Sequence, residues 1–269
     1  MKKIILSTLF IISIVLLSAC GRDQEVLRVA MDLSYPPFET VDASNNPEGI
    51  SVDIAYALGA FLGRKVEIVN TDFASIIPAL QSGEVDIAIA SMSITEQRKQ
   101  SVDFTEPYFY FKIIALVNRT YANANNITED TSVDAILALN NTRYAGIATQ
   151  VSATIPESYG KQVTEYTELP TAIESVSQGT ADILLMSANP VVDGNRAHPN
   201  TTLVVWSSFR SSPIGMAVKK GNQELLDQAN AFIKTFQQAD GMYAVLEQKY
   251  DALLMSRLGR FGLSFYINE

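Results

Sequence analysis

The sequence predicts an α/β protein built as two similar lobes. Two observations carry this. Short apolar runs that read as buried strands alternate with amphipathic helical stretches, the pattern of a mostly parallel sheet flanked by helices. A segment of the first half also recurs in the second: GEVDIAIAS (83–91) and GTADILLMS (179–187) share Gly-x-x-Asp-Ile-x-apolar-x-Ser. Each copy follows a short amphipathic stretch, SIIPALQS or TAIESVSQ. Each lobe therefore has a helix, a glycine stop and a buried strand ending in serine. Ligands in open α/β sheets gather at the carboxyl ends of strands. That rule sets Ser91 and Ser187 facing each other across a cleft.

The elements follow in order. LRVAM (27–31) reads as a short buried strand, and YPPF (35–38) as a turn too stiff to continue a ladder. In GISVDIAYALGAFLGR, Ile54, Leu58, Phe61 and Leu62 share one helical face, with Ser51 as candidate cap. KVEIVNT (65–71) reads as a strand, SIIPALQSG (75–83) as a helix closed by Gly83, and VDIAIAS (85–91) as another strand. Then comes ASMSITEQR (90–98). Thr95 is a good N-cap and Glu96 suits the positive end of a helix. Arg98 does not, because it sets a cation beside unpaired N–H groups. A carboxylate ligand would resolve that conflict by taking both the guanidinium fork and the N–H bonds. The apolar run YFYFKIIALVNR (108–119) suits a crossing between lobes, and a second crossing falls near WSSFRSSP (206–213). IGMAVKK (214–220) reads as a strand, and 222–241 as a helix stopped by Gly241. On that helix Leu225, Ala229, Phe232, Ile233 and Phe236 share a face. MYAVLEQKY reads as one more helix, and the aromatic tail LLMSRLGRFGLSFYINE shows no clear pattern.

The totals exclude several classes. With 269 residues, 47% of them hydrophobic, the chain can bury a sizeable core. A formal charge of −9 argues against nucleic acid and against electrostatic docking on anionic lipid. The N-terminus carries Lys2 and Lys3, an apolar run from Ile4 to Leu17, then Ser18 and Ala19, the pattern of an export signal. The run is shorter than the ~20 residues a membrane span needs. It stops at Cys20, the one cysteine, so no internal disulfide can form. The one histidine, His198, has no second His or Cys for a zinc-type set. No metal or cofactor is expected. The sequence holds no G-x-S-x-G or phosphate-loop motif.

Six segments, DLSYPPFE, GISVDIAYALG, IIPALQSGEVDIAIASMSITEQR, VDFTEPYF, IGMAVKKGN and MYAVLEQKY, lie in register between about Leu27 and Tyr250. Through them the chain resembles bacterial periplasmic solute-binding proteins of the polar amino-acid type (family 3), the receptors of ABC importers. LSAC resembles the lipobox of bacterial lipoproteins, which implies lipidation at Cys20 and anchoring to a bacterial membrane, facing the periplasm or exterior. The resemblance implies the two-lobed periplasmic-binding-protein fold: two lobes, joined by two crossover strands, that close on a ligand as a hinge. The expected layout is a signal peptide at 1–20 and a tether at 21–26. Lobe 1 then takes 27–112 and 211–269, and lobe 2 takes 113–210. The implied partners are an amino acid, polar or basic, or a related small carboxylate, and an ABC permease in the membrane, with the protein a monomer and no nucleic acid bound.

By this resemblance Arg98 grips the ligand α-carboxylate, while Ser91, Met92 and Ser93 supply nearby backbone and hydroxyl contacts. Tyr35 and Phe73 wall the ligand side chain, and Asp32 meets its distal, often cationic, end. In GIATQVSAT (146–154), Ser152 can offer a hydroxyl and an N–H to the carboxylate, whereas Ala148 replaces a longer polar side chain. The largest departure is Ser187, where the family usually has an aspartate that pairs with the ligand ammonium. A buried ammonium without a counter-charge costs several kcal/mol. Three readings stay open: another acid such as Asp32 or Asp193, water and hydroxyl acceptors, or a ligand without an ammonium. A sensory lipoprotein with the same capture chemistry and a cyclohexadienyl-dehydratase-like enzyme are the alternative functions. The enzyme would need an acid or base poised in the cleft.

Overall fold

The computed structural model describes residues 26–259 and 261–268. The leader, Cys20 and the tether up to residue 25 lie outside the described residues. Val26, expected in the tether, opens the first strand.

In chain order, β1 (Val26–Met31) is followed by a hairpin of β2 (Thr40–Val41) and β3 (Pro47–Glu48), then α1 (Ile50–Leu62) and β4 (Lys65–Asn70). A 3-10 turn at Phe73–Ser75 leads into α2 (Ile76–Ser82), β5 (Ile87–Ala88), α3 (Glu96–Lys99) and β6 (Val102–Phe104). β7 (Phe109–Asn118) runs into the second lobe, which holds α4 (Arg119–Ala124), α5 (Val133–Ala138), β8 (Tyr144–Ile147), α6 (Val151–Ser158), β9 (Val163–Tyr166), α7 (Leu169–Ser177), β10 (Ile183–Ser187) and α8 (Ala188–Ala197). β11 (Thr202–Ile214) returns, and β12 (Ala217–Lys219), α9 (Gln223–Ile233), α10 (Met242–Leu258) and α11 (Ser264–Ile267) follow.

Two five-stranded sheets result, ordered β4-β1-β5-β12-β6 and β11-β7-β10-β8-β9. In the first, β1 lies parallel between β4 and β5, and β12 is antiparallel to β5 and β6. In the second, β8 lies parallel between β9 and β10, and β7 is antiparallel to β10 and β11. The parallel cores come from strand–helix–strand units, and the antiparallel pairs come from the returning chain. β7 and β11 pair along their lengths, from Thr202 opposite Asn118 to Ile214 opposite Phe109. One apolar cluster runs from Leu27 and Ile54 in lobe 1 through Phe109 and Ile114 to Leu184 and Val191 in lobe 2.

The sequence repeat is a repeat of interactions. Arg28 at the start of β1 donates its backbone N–H, Nε and Nη2 to Asp86, and Nη2 also reaches Gly83 O. Arg143 just before β8 makes the same set to Asp182 and Gly179 O. Both glycines turn the chain at positive φ, 81° and 74°. Each lobe thus bolts the strand of its repeat to its first strand with a charge-assisted fork.

Four details differ from expectation. Ser51 does not cap α1. Gly49 does, at φ 126°, and a Cβ there would lie 2.4 Å from Phe38 O, so only glycine lets the helix start against the YPPF turn. Phe61 on the expected apolar face is 49% exposed, although its ring meets Phe232. β5 is only two residues long, although 85–90 are mostly buried. The helix expected over 222–241 ends at Ile233. Phe236 still enters the core from the turn that follows, so the apolar period outlasts the helix. Gly241 instead starts α10, where a Cβ would strike Thr235 O at 2.2 Å.

Candidate binding cleft

The two lobes meet across the strand ends that the repeat predicts. Arg98 lies in the single turn of α3, whose Thr95 cap accepts from the Arg98 N–H at 3.2 Å. A four-residue helix carries little dipole, so the case for a ligand here rests on the guanidinium itself. That group is 9% exposed, and no acid pairs with it. Its Nη1 donates to Ser93 O at 2.8 Å, and its Nη2 crosses the cleft to Thr149 O at 3.0 Å. The Phe73 ring lies 5.1 Å from its Cζ, within cation–π reach. Burial pulls the Arg98 pKa down to about 10. A buried cation held only by neutral acceptors has the donors and the charge with which to take an anion.

The neighbours fall into place around it. Asp32 accepts from Ser34 and, through Oδ2, from the Phe73 N–H at 3.1 Å, so it sets the Phe73 turn. Ser93 Oγ accepts from Ser212 Oγ at 2.8 Å, tying the α3 loop to β11. Met92 is fully buried in the lobe 1 core, which leaves only its backbone for the cleft. Ser91 stands at φ 50°, a strained conformation for a serine. Its Oγ donates to Glu39 Oε2 at 3.0 Å. In lobe 2, Ser152 is fully buried and accepts from the Ile147 N–H at 2.9 Å, so its side chain shapes the loop that presents Thr149. Thr149 adopts φ 65°, which turns its carbonyl toward Arg98. Ala148 is half-buried beside it.

Opposite, Ser187 is 4% exposed at the end of β10 and hydrogen-bonds the Tyr35 hydroxyl across the cleft. Tyr35 therefore spans the gap that an aspartate at 187 would occupy. Asp193 is committed elsewhere, to Arg257 Nη1 at 2.7 Å and Arg196 Nη1 at 2.9 Å.

The sequence reading missed three participants. Glu39 is 1% exposed, and burial pushes its carboxyl up to about 8 against the pull of the Ser91 bond. In the sequence it follows a two-proline turn, where an acid reads as solvated. Thr149 lies in the GIATQVSAT loop and meets Arg98 through its carbonyl, which composition does not reveal. Tyr266 meets Phe38 and Phe111 edge-on, each at 5.2 Å, behind the Tyr35 wall. Among the described residues no cluster of three or more His, Cys, Asp or Glu is placed to hold a metal ion.

The model of the bacterial extracellular solute-binding proteins, family 3, matches residues 27–252. The chain belongs to this family. This family 3 solute-binding protein is 27% identical over 267 residues to the probable histidine-binding protein of Neisseria gonorrhoeae, covering 94% of this chain and 96% of that one. It is 27% identical over 278 residues to the ABC transporter glutamine-binding protein GlnH of Bacillus subtilis (strain 168), covering 93% and 97%. An ancestral arginine-binding protein bound to arginine is similar in structure, with a TM-score of 0.70 and 28% identity over 84% of this chain and 99% of that one. The family is extracellular by description, and among the described residues no helix of this solute-binding protein is long and apolar enough to cross a membrane.

Proposed function

We propose that this solute-binding protein is a lipid-anchored, monomeric receptor of an ABC importer, exported and held to the membrane through Cys20, which captures an amino acid between its lobes. One observation carries the ligand class: the buried Arg98 guanidinium has carbonyl partners from both lobes and no acid. An α-carboxylate replaces the Thr149 carbonyl as its acceptor and binds far more strongly, so capture and closure are one event. Tyr35 and Phe73 wall the side chain, and Asp32 steers Phe73. Glu39, the buried acid nearest Ser91 and Tyr35, supplies the negative charge that Ser187 lacks. That placement favours a ligand with a cationic group, and binding such a ligand ionises the Glu39 carboxyl. The names of the relatives support an amino acid of polar or basic type.

A thermal-shift screen with the twenty amino acids and their deaminated analogues tests the reading. A rise in Tm with a carboxylate, strongest for a basic amino acid, is expected; no rise with any carboxylate sinks it. Glu39 also favours a second reading, since a buried acid with a pKa of about 8 suits a general acid. Turnover of an arogenate- or prephenate-like acid would select that dehydratase reading over the receptor.

A further inference from the structure

The family match ends at residue 252, yet the chain continues into the back of the hinge. We infer that the C-terminal segment beyond that match is a positioning strap, a third, noncovalent link that holds the two lobes at their closing distance. α10 starts on lobe 1, where Lys249 Nζ and Tyr250 OH both bond Asp53 of α1, at 2.6 and 2.9 Å. Eight residues and about 12 Å further along the helix, Arg257 Nη1 bonds Asp193 of α8 in lobe 2 at 2.7 Å. Arg196 of α8 returns the contact to Arg257 O at 2.8 Å.

Beyond the helix the chain doubles back. Gly262 allows this turn: a Cβ there would lie 1.9 Å from Asp251 Oδ1, the atom that accepts from the Leu263 N–H at 2.7 Å. The segment then inserts Tyr266, 1% exposed, between the lobes. Its ring packs on Phe38 of lobe 1 and on Phe111 of the β7 crossover. Its hydroxyl donates to Asn189 Oδ1 of α8 at 2.9 Å, two residues after Ser187. Phe38 and Phe111 are also the rings against which Tyr35 rests. The strap therefore holds both partners of the Tyr35–Ser187 contact from behind. Phe261 packs on Trp206 of the β11 crossover at 5.7 Å, and Lys112 Nζ of β7 bonds Asn268 O at 2.9 Å. Every crossing element is touched. Opening the hinge moves Asp53 and Phe38 away from Asp193 and Asn189, and the strap cannot follow both.

Small-angle scattering of the ligand-free protein, read with Trp206 fluorescence, tests this without any ligand. Trp206 is the one tryptophan and touches the strap directly. The double variant Arg257→Ala/Tyr266→Phe cuts the two side-chain ties from the strap to α8 and leaves the Arg196 bond to the Arg257 carbonyl in place. It should shift the open-to-closed ratio roughly tenfold, seen as a larger radius of gyration and a red-shifted Trp206 emission. Arg257→Lys keeps the charge pair and should behave as the parent. An unchanged radius of gyration, with or without a Trp206 shift, overturns the inference and leaves the segment as surface packing. If the double variant does not fold, Tyr266→Phe alone should speed amide exchange at 187–191 while leaving exchange in β8 unchanged. Equal rates at 187–191 would also overturn it.

Discussion

Replacing Arg98 with methionine separates a ligand-gripping arginine from a structural one. Burial lowers its pKa from 12.5 to about 10. At one pKa unit per 1.36 kcal/mol, the fold holds the charged form at a cost of about 3 kcal/mol at neutral pH. The substitution removes that cost. It also removes the bonds to Ser93 O and Thr149 O and leaves the Ser93 carbonyl short of a donor, a loss of about 2–3 kcal/mol. Thr149 is exposed, and water serves it. Methionine fills most of the same space along Phe73. The opposing terms nearly cancel, so the ligand-free variant should melt within a few degrees of the parent. Binding should behave differently. Truncating one partner of a buried charge pair costs about 3–5 kcal/mol, a loss of affinity of the order of 10²–10⁴-fold. Differential scanning fluorimetry gives the first number and isothermal titration calorimetry with the best ligand of the screen gives the second. A variant that melts ten or more degrees lower yet keeps its affinity within threefold would refute the reasoning, because the arginine would then be holding the lobes rather than the ligand.

The Glu39 carboxyl, raised by burial from 4.5 to about 8, keeps a proton in the folded protein that the unfolded chain gives up. The stability this contributes is complete below about pH 4.5 and is lost as pH rises through 8. Tm of the ligand-free protein should fall between pH 5 and 8.5, and Glu39→Gln should flatten that fall; an identical profile would count against the buried acid. In the parent, capture of a cationic ligand at pH 7 should release a proton, visible as a calorimetric enthalpy that changes with buffer ionisation heat. Asp182→Ala strips three donors of Arg143 from a carboxylate that is 2% exposed, whereas Asp86 in the matching fork is more open. Urea unfolding should show a loss of about 3 kcal/mol for Asp182→Ala and a smaller one for Asp86→Ala. Gly49→Ala forces a Cβ against Phe38 O at φ 126° and should cost at least about 2 kcal/mol by the same assay.

The lobes were legible because their determinants are local. Gly83 and Gly179 end helices, Asp86 and Asp182 sit three residues on, and the strands are apolar without break. Arg98 drew attention as a cation at a helix start, but that helix is a single turn with little dipole, so its burial and its two carbonyl partners were not legible. Glu39 was not legible either, since an acid after a turn reads as solvated until Phe38, Ser91 and Tyr35 enclose it. Helix ends were misread where side-chain period and backbone part company, as at Phe236, which stays in the core after α9 has stopped. The tail was illegible for a related reason. Tyr266 has its partners at 38, 111 and 189, so nothing within its own segment announces what it packs against.

The place of β12 bears on how the molecule comes into being. This strand lies between β5 and β6, although it is made more than a hundred residues after either. The second sheet, by contrast, is built from one unbroken stretch of chain, β7 to β11. As synthesis proceeds from the N-terminus, the earlier half must wait with a slot open in its sheet while the later half assembles. Ala217–Lys219 then enters that slot like a keystone, and the first lobe exists only once the second has handed the chain back.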